Sequence, residues 1–158
     1  MIRPITADDV AELTAVAARA GNFSQEETKT VGEMAAESLG PNPHGYRFLC
    51  YVAEGCIAGF ACYGHISLTD AAYDLYWLGV DAELLGRGIG GPVLAEVERA
   101  VAAEGGRLLV AETSGTEAYA AARHFYLRHG FYEAGRIEDF YAVGDAKVIY
   151  VKRIAAAS

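Results

Sequence analysis

Tyr76-Trp77-Leu78-Gly79-Val80-Asp81-Ala82-Glu83-Leu84-Leu85-Gly86-Arg87-Gly88-Ile89-Gly90-Gly91 is the stretch on which the fold turns. Tyr73 to Val80 is aromatic and apolar and reads as a strand. After five intervening residues comes a run of glycines, and after it Pro92 to Glu104 place Val93, Leu94, Val97 and Val101 on one face of an amphipathic helix that stops at Gly105-Gly106. Backbone N–H groups without side-chain obstruction therefore converge with the positive end of a helix, which is the composition of an anion site. Arg87 adds a fixed positive charge within reach of a phosphate.

Working outward, Ile2 to Thr6 predicts a short strand, with Thr6 capping a helix that carries Val10, Leu13, Val16 and Ala17 and stops at Gly21. Ser24 and Glu27 form a capping-box pattern for a second helix, ended by Gly40-Pro41-Asn42-Pro43. Arg47 to Glu54 and Ile57 to Ser67 are apolar runs around Gly55-Cys56 and predict a hairpin. Beyond the glycine loop, Arg107 to Glu112 predicts a buried strand, Glu117 to His129 a helix ended by Gly130, and Phe131 to Ile137 and Lys147 to Lys152 two more strands. The order is βααβββαβαββ, an α/β arrangement in which helices cover the faces of a mixed sheet. One domain over residues 1–154 is expected, followed by a frayed tail at 155–158.

Composition removes several classes of function. The chain has 158 residues, 53% of them hydrophobic, and a net charge of -8, so a nucleic-acid surface that tracks phosphates is not expected and any anion must be bound locally. No run of about 18 apolar residues and no leader pattern occurs, which predicts a cytoplasmic chain without a membrane partner. Cys50, Cys56 and Cys62 lack Cys-x-x-Cys spacing and read as free thiols, and His124 and His129 point to different sides of a helix, so no metal site is expected.

Residues 86–91 also satisfy the Gly-x-Gly-x-x-Gly pattern of a dinucleotide site, and Glu112 stands about where a ribose-binding acid would. Two features oppose an oxidoreductase. Asp81 to Leu85 separate the strand from the first glycine, and less than half of the chain follows Gly91, too little for the further parallel strands of that fold.

The strand Tyr76 to Asp81, the connection, the Gly-x-Gly-x-Gly loop and the helix resemble the acetyl-CoA-binding signature of the GNAT superfamily of N-acetyltransferases. Ala122-Arg123-His124-Phe125-Tyr126-Leu127-Arg128-His129-Gly130-Phe131 is similar to that family's helix ending in Phe-Tyr, three residues, then Gly-Phe. The element order fits from Ile2 to about Arg153. The resemblance implies acetyl-CoA as co-substrate, with its thioester between the strands Tyr73 to Val80 and Arg107 to Glu112. The backbone of Leu78, Gly79 and Val80 would then bind pantetheine and the acetyl carbonyl, and Leu85, Gly86, Arg87, Gly88, Ile89, Gly90 and Gly91 the pyrophosphate. Two positions depart from the pattern: Leu85 stands where the family often has Gln or Arg, and Tyr119 where it often has Asn.

Acetyl transfer needs a neutral amine, a stabilised oxyanion and a proton for the departing thiolate. The resemblance gives Tyr126 the role of general acid, and a phenol can donate there; as a plain helix tyrosine it would cap the core. Glu112, an acid at the end of an apolar strand, is the preferred base, with Asp74 in reserve and a solvated strand-end acid as the plain reading. Tyr76 reads as a wall of an acceptor pocket or as core, as do Tyr73 and Trp77. Asp139 and Tyr141 precede a Gly144-Asp145 turn in what reads as an inter-strand loop, which resembles the acceptor-binding hairpin of enzymes that acetylate protein N-termini. The expected partner is a primary amine on a small molecule or peptide N-terminus. A non-catalytic acyl-CoA-binding module is the competing class. A homodimer is compatible with the fold, although no interface pattern is legible.

Overall fold

A computed structural model describes residues 1–41 and 45–156. Asn42 and Pro43 of the expected break after the second helix, and Ala157 and Ser158 of the expected tail, lie outside the described residues. The elements are β1 (Ile2–Pro4), α1 (Val10–Arg19), α2 (Gln25–Ser38), β2 (Arg47–Ala53), β3 (Cys56–His65), β4 (Ala72–Val80), α3 (Gly90–Ala103), β5 (Leu108–Ser114), α4 (Ala120–Arg128), β6 (Tyr132–Ala142) and β7 (Asp145–Arg153). The expected order of helices and strands is the observed one. The seven strands form one mixed sheet in the order β1-β2-β3-β4-β5-β7-β6. The parallel ladder between β4 and β5 runs from Ala72–Leu108 to Leu75–Ala111, while β4 itself continues to Val80 and β5 to Ser114.

The chain comprises two compact units, Met1–Gly64 with Tyr76–Ala100, and His65–Leu75 with the chain from Val101 onward. In the first, the amphipathic faces of α1 and α2 bury Leu13, Val16, Ala17, Val31 and Ala35 against Phe48, Cys50, Phe60 and Cys62 of β2 and β3. Ser24 accepts the Glu27 N–H at 3.0 Å and Glu27 accepts the Ser24 N–H at 3.0 Å, so the capping box read from the sequence starts α2. The β2–β3 turn places Glu54 and Gly55 at φ 53° and 79°, the left-handed pair that a tight two-residue hairpin demands.

Gly79 shows how closely this core is packed. A methyl group there would lie 2.7 Å from Phe60 and 3.0 Å from Phe23. Trp77 meets Phe23 edge-on at 5.6 Å and donates its indole N–H to Met34 sulfur, so Trp77 belongs to the core.

At the chain start Thr6 stands, as expected, at the N-cap of the single helical turn that leads into α1. The buried Asp9 carboxylate accepts the Thr6 N–H at 2.7 Å and the Thr6 hydroxyl at 3.0 Å, and Arg3 holds it through two bonds at 2.7 and 3.0 Å. The Arg3 hydrogen bonds hold the Asp9 carboxyl well below the usual carboxylate range.

In the second unit β5 packs between its neighbours, and two predicted boundaries need correction. β5 runs two residues past Glu112, because Thr113 and Ser114 are buried and Ser114 donates its hydroxyl to Asp145 across the sheet. Asp139, Phe140 and Tyr141 belong to β6 and not to a loop; the register is broken between Ile137 and Ala142, with Asp139 at φ 56°, so a bulged strand replaces the expected loop and the turn at Gly144, φ 82°, follows it. Among the described residues no helix is long and apolar enough to cross a membrane.

Two outcomes are expected. Asp9→Ala removes a cap and should cost about 1–2 kcal/mol in chemical denaturation at neutral pH. Because the folded carboxyl titrates lower than the unfolded one, this contribution is complete above the unfolded value and lost as pH falls through the folded one, so the wild-type and variant stabilities should converge below about pH 4. Gly79→Ala should cost about 1–3 kcal/mol by overpacking against Phe60 and Phe23, read as a lower urea midpoint.

Candidate functional site

The glycine loop is held at both ends by β3. At its start, the Asp81 N–H donates to the Ala58 carbonyl at 2.9 Å, and Asp81 caps a single helical turn, Ala82–Leu84, by accepting the Glu83 N–H at 3.1 Å. At its end Ile89 is buried, and a methyl at Gly59 would meet Ile89 Cγ2 at 3.0 Å and the Gly79 carbonyl at 3.1 Å. Between these anchors Gly86 and Gly88 take φ of 80° and 73°, the left-handed region that favours glycine, and each faces open space where a Cβ would be.

The amides divide into two sets. The Leu85 and Arg87 N–H groups are engaged by the Ala82 and Leu84 carbonyls at 3.4 and 3.3 Å. The amides from Gly88 to Gly91 lie at the start of α3, where a helix leaves its first N–H groups without intrahelical partners. Leu85 and Arg87 are exposed, and α3 starts at Gly90, two residues before the predicted Pro92. Leu78 and Val80 are half-buried on β4, and Gly79 turns its Cα toward Phe60 and Phe23.

The residues with acid-base chemistry lie in the other unit, and the register of β5 and β7 sorts them. Ala111 pairs with Tyr150 and Thr113 with Val148, while Glu112 pairs with Ile149 and Ser114 with Lys147. Directly paired residues share a face and successive residues alternate, so Tyr150 and Glu112 are on opposite faces. Tyr126, from α4, packs on Tyr150 at 5.6 Å and on Phe131 at 5.2 Å, on the face opposite Glu112. Burial, with the neighbouring Tyr150, pushes the Tyr126 phenol up to about 12. Burial, then Glu133, also raises the Tyr150 phenol. The Tyr126 ring is thus buried among aromatic neighbours.

Glu112 is exposed and ion-paired to Lys147 at 3.0 Å, and the Lys147 ammonium also sits 4.6 Å from the centre of the Phe140 ring. Asp74 is half-buried on β4, level with Val110. Of the acceptor candidates, Tyr76 stacks edge-on against Tyr46 at 5.3 Å, Tyr141 is exposed, and the Asp139 carboxylate accepts the Gly144 N–H at 2.7 Å across the hairpin end.

Three residues escaped the sequence reading. Arg123 donates to the Ser114 and Thr116 carbonyls at 2.8 and 2.6 Å and so ties α4 to the end of β5. It stands three residues before Tyr126, and that helical spacing was the available signal. Lys147, paired with Glu112, and Arg19, hydrogen-bonded to Asp81, had none, because these partners are distant in sequence. Among the described residues no group of three or more His, Cys, Asp or Glu side chains could hold a metal ion.

Residues 45–133 match the family model described as the acetyltransferase (GNAT) domain. A GNAT-family protein from Desulfovibrio desulfuricans is 38% identical, with 98% of this chain and 99% of that one covered and a TM-score of 0.94. The ribosomal-protein-S18-alanine N-acetyltransferase of Escherichia coli is 21% identical over 100% of this chain and 96% of its own, with a TM-score of 0.79. The PaiA N-acetyltransferase of Thermoplasma acidophilum, solved with coenzyme A, is 20% identical over 97% and 98%, with a TM-score of 0.73. No curated protein matches the chain by sequence. A family model covering more than half of the chain and a close structural relative over nearly all of it agree with the strand order and the glycine turn: the chain belongs to the GNAT family of acetyltransferases.

Proposed function

We propose that the chain, acting as one domain over residues 1–154, transfers the acetyl group of acetyl-CoA to a primary amine by direct attack. Tyr126 carries the reading: a buried phenol with its proton held up to about 12 stays protonated at neutral pH and can donate its O–H to the departing sulfur. Burial is the main cause of that shift, because it penalises the phenolate.

The glycine turn fits the cofactor. Gly86 and Gly88 leave open space, and the amides from Gly88 to Gly91 with the exposed Arg87 would hold the pyrophosphate. Leu78, Gly79 and Val80 would offer backbone groups to pantetheine and the acetyl carbonyl. Acetyl-CoA supplies the activated acetyl group. In the transfer the amine nitrogen bonds to the carbonyl carbon, Glu112 takes the proton released by the amine, the carbon–sulfur bond breaks as the Tyr126 O–H is donated to the sulfur, and the phenol regains its proton from water.

Lys147 fixes the Glu112 carboxylate, and Arg123 fixes the helix that carries Tyr126. Tyr76, Asp139 and Tyr141 are proposed to contact the acceptor, and the acidic balance of the chain favours a cationic one. The E. coli structural relative acts on a protein alanine, which makes peptide N-termini worth testing beside small polyamines. Free Cys50 and Cys62, both buried, fit a reducing compartment, and we place the reaction in the cytoplasm.

With acetyl-CoA and a panel of amines and short peptides, wild-type protein should release free thiol; binding of CoA with no release from any acceptor would favour a binding module instead. Tyr126→Phe should lower kcat about 100-fold or more, and Glu112→Gln about 10- to 100-fold. The active form of Tyr126 is protonated and its pKa is raised, so wild-type kcat should show no phenol-dependent fall before about pH 10. A falling limb centred near pH 8 that disappears in Tyr126→Phe would sink the assignment.

A further inference from the structure

We infer that Arg19, on α1 and outside the glycine loop, positions that loop for phosphate binding by clamping Asp81. Arg19 is the last residue of α1, and its Nε and Nη2 both donate to Asp81 Oδ2, at 3.0 and 2.9 Å. The other carboxylate oxygen, Oδ1, takes the Glu83 N–H at 3.1 Å. The Asp81 N–H reaches the Ala58 carbonyl at 2.9 Å, and its carbonyl takes the Leu84 N–H at 2.8 Å. Every polar group of this buried residue is therefore used, and each bond acts on the turn that leads into the glycines.

The bonds form a chain. Arg19 holds Asp81, the Asp81 carbonyl holds the Leu84 amide, and the Leu84 carbonyl holds the Arg87 amide at 3.3 Å. Gly88, first of the anion donors, follows directly. Ile89, packed against Gly59, fixes the far end, so the Gly86-Arg87-Gly88 arc hangs between two supports. Without the guanidinium the Asp81 carboxylate would keep one amide partner and seek water, and the turn at Ala82–Leu84 would be free to rotate with it. A donor constellation for phosphate works only while it is held in place, so loss of one support weakens recognition of the phosphates and leaves the remainder of the cofactor unaffected.

The inference rests on the reading of residues 86–91 as the pyrophosphate site. A purely architectural ion pair would change stability and alter all ligands alike, so the test compares CoA with pantetheine, which lacks the phosphates and the nucleotide. Affinities of wild-type, Arg19→Ala, Arg19→Lys and Asp81→Asn proteins for both ligands are measured by calorimetric titration at a temperature where each variant is folded by circular dichroism. Arg19→Ala and Asp81→Asn should weaken CoA about tenfold while pantetheine affinity stays within about twofold, and Arg19→Lys, which keeps the charge and one donor, should fall between. Should Arg19→Ala fail to fold, the split between the two ligands in Arg19→Lys and Asp81→Asn decides the matter. Equal weakening of both ligands, or no change in either, overturns the inference while leaving the cofactor reading intact. A wild-type protein that binds no CoA overturns both.

Discussion

Two glycines on neighbouring strands set the limits within which the first unit is built. At Gly59 of β3 the missing side chain leaves room for Ile89 and for the Gly79 carbonyl; at Gly79 of β4 it leaves room for the rings of Phe60 and Phe23. One absence seats the end of the glycine loop and the other seats the aromatic plug beneath α1 and α2. A side chain at either place would press on a group that cannot retreat, because interiors at crystal-like density transmit a displacement instead of absorbing it. The glycine turn and the hydrophobic core thus meet through bare backbone at β3 and β4, and the composition of β4 follows from that constraint: Trp77 turned into the core, Gly79 thin, Val80 half-buried near Gly59.

The sequence made legible what depends on local chemistry. Ser24 and Glu27 announced α2, Gly55 announced the hairpin, and the apolar spacing of Val93, Leu94, Val97 and Val101 announced α3, because in each case the residues that make the structure are neighbours in the chain. Boundaries failed where a distant partner changes the balance. Thr113 and Ser114 look like the end of an apolar strand, yet both are buried, and Ser114 finds Asp145 on β7. Asp139 looks like a turn residue, and its left-handed backbone is indeed turn-like, but the Gly144 amide captures its carboxylate and the strand runs on as a bulge. The candidate site divides in the same way: the glycines and Tyr126 could be read directly, whereas Arg19, Arg123 and Lys147 act through partners that only the folded chain brings within reach.

Those three cations share one role. Each adds a charged donor to an acceptor: the Asp81 carboxylate, the Ser114 and Thr116 carbonyls, the Glu112 carboxylate. Charge-assisted bonds of this kind add little where both partners are solvated and more where one is buried, so their value here differs. Asp81 is buried and its carboxyl is lowered first by the Arg19 hydrogen bonds and then by the Glu83 amide, which makes the clamp directional. Glu112 is exposed, so its link to Lys147 fixes orientation more than energy.

The net charge of -8 poses the last problem, because the proposed cofactor is itself a polyanion. Long-range attraction cannot draw it in, and over distances beyond about 10 Å salt screens the repulsion as well as any steering. Binding must then come from short-range donors: unobstructed amides, whose partial charges need no counter-ion, and the positive end of a helix of fourteen residues. Such donors gain from position and lose quickly with displacement. A chain that answers an anion with backbone geometry in place of a basic surface has to keep that backbone still. The support of the glycine arc by Asp81 at one end and Ile89 at the other is the structural form of that requirement.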